Sequence, residues 1–413
     1  YLITLSAEHA MVVQVCHGGA MQALRRDAAG EWQPYASSAT SHVSGGVTAV
    51  APIDTATLLV GTSTGAVAVL RVAEGAIDLV WQGSAGDTQV RCLAVQAGGT
   101  FAASSGSSGT LHVFERSADD QWTSLGECTG ESDAIKALAA LPCGRFVSST
   151  GSSAVQLWTR REGVFEASAL GEAPHSTTKA LYALGQGWVA VTGNGDAVGI
   201  FREGEGGWEL VEGGPSTNHS IDFVHVLSPT CLIASTGFNH FYMFTRPHET
   251  SASWKLAADM GSGPGFDKGF CAVGDGTVIS FNGDACVYQF TQPQGEAWMQ
   301  ASAIGAHGAR ESVKHCAALG GDSFVTGGDQ GGLVLWQRGG GAGWSAHTLA
   351  PTQDTNRMCV EALCTVDDTG FVALHRTGAV VQWQAGKKGR EELPPLFYTS
   401  TRCFYEWELS DGK

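Results

Sequence analysis

Residues 324–338 read FVTGGDQGGLVLWQR: an apolar run, a turn made of glycine and Asp329, then an alternating run that ends in Trp336. Alternation with period two on either side of a glycine turn predicts a β-hairpin. The same pattern recurs along the whole chain, as VVQVCHGGAMQAL, LLVGTSTGAVAVL, FAASSGSSGTLHVF, FVSSTGSSAVQLW, VAVTGNGDAVGIF, LIASTGFNHFYMF, VISFNGDACVYQF and FVALHRTGAVVQW. The nine copies end at Leu24, Leu70, Phe114, Trp158, Phe201, Phe244, Phe290, Trp336 and Trp383, at spacings of 46, 44, 44, 43, 43, 46, 46 and 47. A period of this size marks a repeat architecture, and runs broken by glycine are not helical repeats.

A second recurrent position supports the register. Trp32, Trp122, Trp208, Trp254, Trp298 and Trp344 follow the terminal bulky residue by 7 to 10 residues, Trp81 follows it by 11, and Phe165 fills the slot in the copy without Trp. Upstream lies a further apolar run in each copy, such as VRCLAV at 90, IKALAAL at 135 and VKHCAAL at 313. Each unit is thus predicted to hold four short strands, read as a Trp-bearing strand, an apolar strand, a glycine-ended strand and the bulky-ended strand. Four-stranded units at this period are propeller blades. The predicted fold is therefore all-β, a β-propeller of eight or nine blades with nine preferred, in one domain spanning residues 1–413.

The first copy has no Trp strand ahead of it, and residues 396–409, LFYTSTRCFYEWEL, are available to supply one. Residues 385–413 are accordingly read as a closing strand and tail, so that N- and C-terminal strands close the ring and leave no open sheet edge. Two smaller propellers, or seven blades and the start of another array, remain alternatives at this point.

The best copies, at 324–338 and 146–160, resemble the WD40 family in having a strand, a Gly/Asp turn and a strand ending in Trp. The family's Trp-Asp pair is missing its Asp: Trp158, Trp336 and Trp383 are followed by Thr159, Gln337 and Gln384. Its Gly-His pair survives only as the lone histidines His42, His175, His219 and His307. The chain is similar to a divergent member, expected to be held mainly by apolar packing between blades and by strand ladders. The resemblance implies a non-catalytic platform for other proteins, or a structural subunit of a larger assembly, with affinity in exposed loop residues such as Phe238, His240, Trp188 and Arg376.

Composition agrees with such a fold. Of 413 residues 56 are glycine, about twice the usual share, and only 15% are charged. No apolar run reaches the roughly 18 residues of a membrane-spanning helix. The net charge of −16 disfavours nucleic acid and anionic lipid as partners. The 11 cysteines contain no C-x-x-C pair, which excludes a zinc ribbon and predicts reduced, buried thiols in a cytoplasmic setting. The chain opens at Tyr1 without a signal-peptide pattern, as expected of a processed chain or a piece of a longer one. Gly327-Gly328 and Gly331-Gly332 lack a phosphate-loop frame, no paired-histidine motif appears, and no cofactor or metal is expected.

One charged pattern stands out from the repeat. Arg91, Lys136, Lys179, Asp222, Lys268, Lys314 and Glu361 occupy equivalent positions near the start of the upstream apolar run. Five of the seven are basic, in a chain with only 24 Lys+Arg. In a closed ring they form a local positive collar suited to an acidic segment of a partner protein; the competing reading is a polar residue that merely solvates each strand entrance. Two other functions are weighed. A carbohydrate-binding propeller predicts that the Trp32-to-Trp344 series is exposed for stacking, and a propeller enzyme predicts a cofactor or nucleophile.

Overall fold

In a computed structural model the chain forms nine four-strand antiparallel units among the described residues, at 2–38, 47–84, 90–131, 135–172, 178–210, 221–262, 267–306, 313–350 and 360–392. The structure describes residues 2–392 apart from 7–10, 16–17, 27–31, 39–42, 107, 120, 132, 186, 212–213, 218–220, 237–239, 263–266, 274–276, 283–285, 292–298, 307–310, 320–321, 340–342, 351–358, 368–369, 377–379 and 385–390. Unit 3 is representative. Its strands Val90–Val95, Phe101–Ser105, Gly109–Arg116 and Trp122–Glu131 lie side by side in chain order.

The register repeats as closely as the sequence does. In every unit the terminal bulky residue pairs with the same rung of the second strand: Leu24 with Val12, Leu70 with Leu58, Phe114 with Phe101, Trp158 with Phe146, and Phe201 with Val189. Phe244 with Leu232, Phe290 with Val278, Trp336 with Phe324 and Trp383 with Phe371 complete the set.

The phase of the unit differs from the sequence reading. The Trp-bearing strand is the fourth strand of its own sheet, not the first of the next: Trp32 pairs with Arg26, Trp122 with Arg116 and Trp344 with Arg338. A periodic sequence has no intrinsic beginning, and it is the hairpin between the third and fourth strands that sets one. Unit 1 consequently takes all four strands from residues 2–38. The closing strand expected from residues 396–409 lies outside the described residues.

Second strands such as Thr57–Thr62 and Trp188–Gly193 are buried along their full length, on both faces. That is why their sequences read as short continuous apolar runs. Each seam between successive units has its own apolar cluster. Leu59, Val67 and Val69 of unit 2 pack on Val90, Phe101 and Phe114 of unit 3, and Val325 and Leu335 of unit 8 pack on Val360 and Phe371 of unit 9. The innermost strand of unit 1, Leu2–Ser6, lies against the innermost strands of both unit 2 and unit 9. The outermost strands of units 1 and 2 pair in parallel, Ala36 with Gly75 and Ser37 with Ala76.

At the end of the sheets where third strands finish, ion pairs bridge neighbours: Asp54 of unit 2 with Arg116 of unit 3, Glu115 with Arg160 of unit 4, and Arg145 with Glu203 of unit 5. A further cross-link corrects the expectation of unpaired thiols. Cys271 and Cys316, on the innermost strands of units 7 and 8, form a disulfide with a sequence separation of 45. That separation is one repeat, so the partners stand on adjacent units although nothing in the local spacing pairs them. Cys92, Cys128, Cys231 and Cys359 are free thiols.

Candidate functional site

The collar positions share one backbone feature. Arg91 in Val90–Val95, Lys136 in Ile135–Leu141, Lys179 in Thr178–Gly185, Asp222 in Ile221–Ser228, Lys268 in Asp267–Ala272, Lys314 in Val313–Leu319 and Glu361 in Val360–Asp367 are each the second residue of an innermost strand. The ladder shifts register at that residue in all seven units. Thr48 of Val47–Asp54 is an eighth member that the charge pattern did not reveal. A β-bulge leaves its residue without a rung partner and re-aims the side chain. The repeat therefore places one non-ladder residue at the same position of the innermost strand in units 2 to 9.

Arg91 and Lys136 are exposed, whereas Lys179, Lys314 and Glu361 are half-buried. Hydrogen bonds tie neighbouring collar positions together. The Thr48 hydroxyl donates to the Val90 carbonyl at 2.7 Å, and the Cys92 thiol donates to the Lys136 carbonyl at 3.3 Å. A Cβ built on Gly151 would lie 3.7 Å from Lys136 Cε, so the lysine stem runs beside the turn between the second and third strands of its own unit. The collar thus belongs to the face formed by those turns, opposite the inter-unit ion pairs.

Charge around the collar is uneven. The charges acting on the Cys92 thiol are Arg91 and Lys136, both cations. Those acting on the Cys359 thiol are Glu361, Arg376, Lys314 and Asp329, two of each sign. Arg376 Nε–H donates to Glu361 at 2.5 Å, and the Asp329 carboxylate accepts from the Ser312 N–H at 3.0 Å. Burial pushes the Cys231 and Cys359 thiols up to about 11 and raises that of Cys92 as well. At neutral pH these are thiols, poor nucleophiles.

Burial also pushes the neighbouring His315 down to about 4, against the pull of Glu361 and with the help of Lys314. The unfolded chain takes up this proton near pH 6.5, and the folded chain only near 4. Stability is therefore complete above about pH 6.5 and falls as the pH drops towards 4, by at most about 1.4 kcal/mol per pH unit for one proton. Urea midpoints measured at pH 7, 5.5 and 4.5 are expected to decline more steeply in the wild type than in His315→Gln. Parallel declines would assign the acid sensitivity elsewhere.

The loop residues chosen from sequence fare unevenly. Trp188 is buried, with the Arg246 guanidinium 4.2 Å from its ring centroid, so it is a packing residue and not an exposed anchor. Arg246 is itself buried between Trp188 and Trp254 and donates to the Pro229 carbonyl at 2.8 Å. His240 stacks on Tyr242 and stands 3.7 Å from Asp259. Arg376 joins the collar face through Glu361, and Phe238 lies outside the described residues. Among the described residues no cluster of three or more His, Cys, Asp or Glu side chains is arranged to hold a metal ion, and no helix is long and apolar enough to cross a membrane.

No protein-family model matches the chain, and no curated protein is similar to it in sequence. Solved structures are. The C-terminal WD40 domain of Sif2 superposes with a TM-score of 0.51 at 13% identity, over 78% of this chain and 91% of that one. The fold is that of a WD40 β-propeller. A chain of the mitotic checkpoint complex is also similar, with a TM-score of 0.42 at 16% identity over 79% of this chain and 84% of that one.

The propeller retains parts of the hydrogen bonding that the missing Asp and His had put in question. In blade 4 Trp158 Nε1–H donates to Ser148 Oγ at 2.7 Å, and in blade 8 Trp336 Nε1–H donates to Thr326 Oγ1 at 2.8 Å. His175 is buried beside Thr178, with Nε2 at 3.4 Å from its hydroxyl. In blade 8 the buried carboxylate of Glu311 accepts from the Gly332 N–H at 2.6 Å. The turn before the third strand of that blade is thus held by an acid. Apolar packing is therefore not the whole of what stiffens these blades. His42, His219 and His307 lie outside the described residues.

Proposed function

We propose that this propeller is a non-catalytic interaction platform whose docking face is the rim bearing Arg91, Lys136, Lys179, Lys268 and Lys314, and that it engages acidic segments of partner proteins. The observation that carries this reading is the recurrent bulge, which falls at a charged or polar residue in blade after blade. Focused local charge governs a contact at short range even on a body with a net charge of −16. The same proposal takes residues 1–413 as one ring of nine blades in the cytoplasm, with neither nucleic acid nor membrane as partner. The contact of Leu2–Ser6 with the innermost strands of blades 2 and 9 supports the single ring.

Sugar stacking is less well supported. Trp122 and Trp254 are buried, and Trp81, Trp208 and Trp344 are half-buried. Trp81 packs edge-on against Phe114 of the next blade, with ring centroids 5.1 Å apart. An enzymatic role would need an activated group, and the thiols near the collar are held in their neutral form.

The test is a combined Lys136→Glu, Lys179→Glu and Lys314→Glu variant of the tagged protein, used in co-purification from native extract at several salt concentrations. Proteins that co-purify with the wild type are expected to be lost, together with the salt dependence of their retention. Unchanged recovery and unchanged salt dependence would overturn the proposal.

A further inference from the structure

The collar differs in sign from one sector to the next, and that asymmetry locates the docking point. In blades 8 and 9 acids stand among the cations. Glu361 takes up Arg376, and Lys314 shares its surroundings with Glu361 and Asp329. In blades 3 and 4 the charges acting on the seam thiol Cys92 are cations alone. Arg91 and Lys136 are both exposed, and neither has an ion-pair partner among the described residues. Asp87 and Asp133 stand in the turns leading into their strands and form no ion pair with them. The seam bond from Cys92 Sγ to the Lys136 carbonyl holds the two collar positions side by side. Lys179 continues the run into blade 5, and Asp222 ends it in blade 6.

We infer that the acidic segment docks on the sector formed by Arg91, Lys136 and Lys179 of blades 3 to 5, and that blades 8 and 9 contribute little. This inference rests on the collar reading above. Two exposed cations held side by side suit carboxylates spaced along an extended peptide, which reaches Arg91 and Lys136 without displacing an internal ion pair. A nucleic acid strand is the less favoured polyanion: the net charge of −16 repels it over its length, and no collar position carries an aromatic side chain on which bases stack.

The experiment uses the full chain and a fluorescein-labelled peptide of ten glutamates, followed by anisotropy at 50 and 150 mM salt. The wild type is expected to bind, more weakly at the higher salt. Arg91→Glu/Lys136→Glu is expected to weaken binding at least tenfold, and Lys314→Glu less than twofold. Arg91→Gln/Lys136→Gln replaces the reversal if the reversal lowers the melting midpoint, with a loss of at least threefold expected. No binding by the wild type, or equal binding by every variant, overturns the collar reading and the sector with it. A loss in Lys314→Glu as large as that in the blade 3 and 4 variant overturns the sector alone. A single-stranded oligonucleotide of twenty bases that binds more tightly than the peptide, and loses affinity with the same substitutions, overturns the assignment of a protein segment.

Discussion

Trp336→Ala is expected to cost about 4 kcal/mol of stability, the range for emptying a large aromatic site. Three contacts make the site intolerant. The indole is almost fully buried and stacks on Phe324, with ring centroids 5.7 Å apart and planes 4° from parallel. Its N–H satisfies the buried Thr326 hydroxyl at 2.8 Å. Its six-membered ring lies against Gly305 of blade 7, where an added Cβ would come within 2.6 Å. Removing the indole thus opens a cavity on the seam between two blades and takes one of its hydrogen bonds from a buried hydroxyl. Trp336→Phe retains most of the ring and is expected to cost about 1 kcal/mol, mostly the lost indole hydrogen bond, since the Thr326 hydroxyl still donates to the Val334 carbonyl. Urea denaturation followed by circular dichroism measures both. A loss below 1 kcal/mol for the alanine variant would mean that the seam repacks around the gap.

Gly65→Ala is the second large effect, expected at about 3 kcal/mol. Gly65 sits at φ +84 in the turn between the second and third strands of blade 2. An added Cβ would collide with the carbonyl oxygen of Gly86, a backbone atom that no side-chain rotation removes. The carbonyl of Gly65 also accepts from the Ala85 N–H at 2.8 Å, so the turn cannot swing away without breaking that bond. Gly75 is the control. It has nearly the same φ, +83, with nothing within 4 Å of an added Cβ, and Gly75→Ala is expected to cost only about 1 kcal/mol, the conformational part alone. Thermal melts of the two variants separate the collision from the backbone preference, and equal shifts would show that the collision is relieved.

The glycine content has the same two origins. Gly65 is needed for its turn and its close neighbour, whereas Gly61 and Gly327 sit in or beside strands because Val90 and Val360 of the next innermost strand press against them. The first use is visible locally as a Gly/Ser/Asp cluster between apolar runs. The second is not, because the pressing valine belongs to the next repeat. Trp188 failed as an exposed anchor for a related reason: its burial comes from Arg246, 58 residues along and in the following blade. Cys271 and Cys316 likewise meet only because consecutive repeats stand side by side.

What the chain alone determined was everything that recurs with its period: nine hairpins, four strands to each unit, the rung at which each bulky residue sits, and the series of equivalent positions from Arg91 to Glu361. A repeated local pattern is legible because each copy reads the same local forces of alternation, turn chemistry and burial. What only the tertiary structure decided was where one unit ends and the next begins, which acids and bases answer one another, and which side chains the seams enclose. These depend on distances between units, and distance across a seam is set by packing and hydrogen bonding, which a one-dimensional period does not encode.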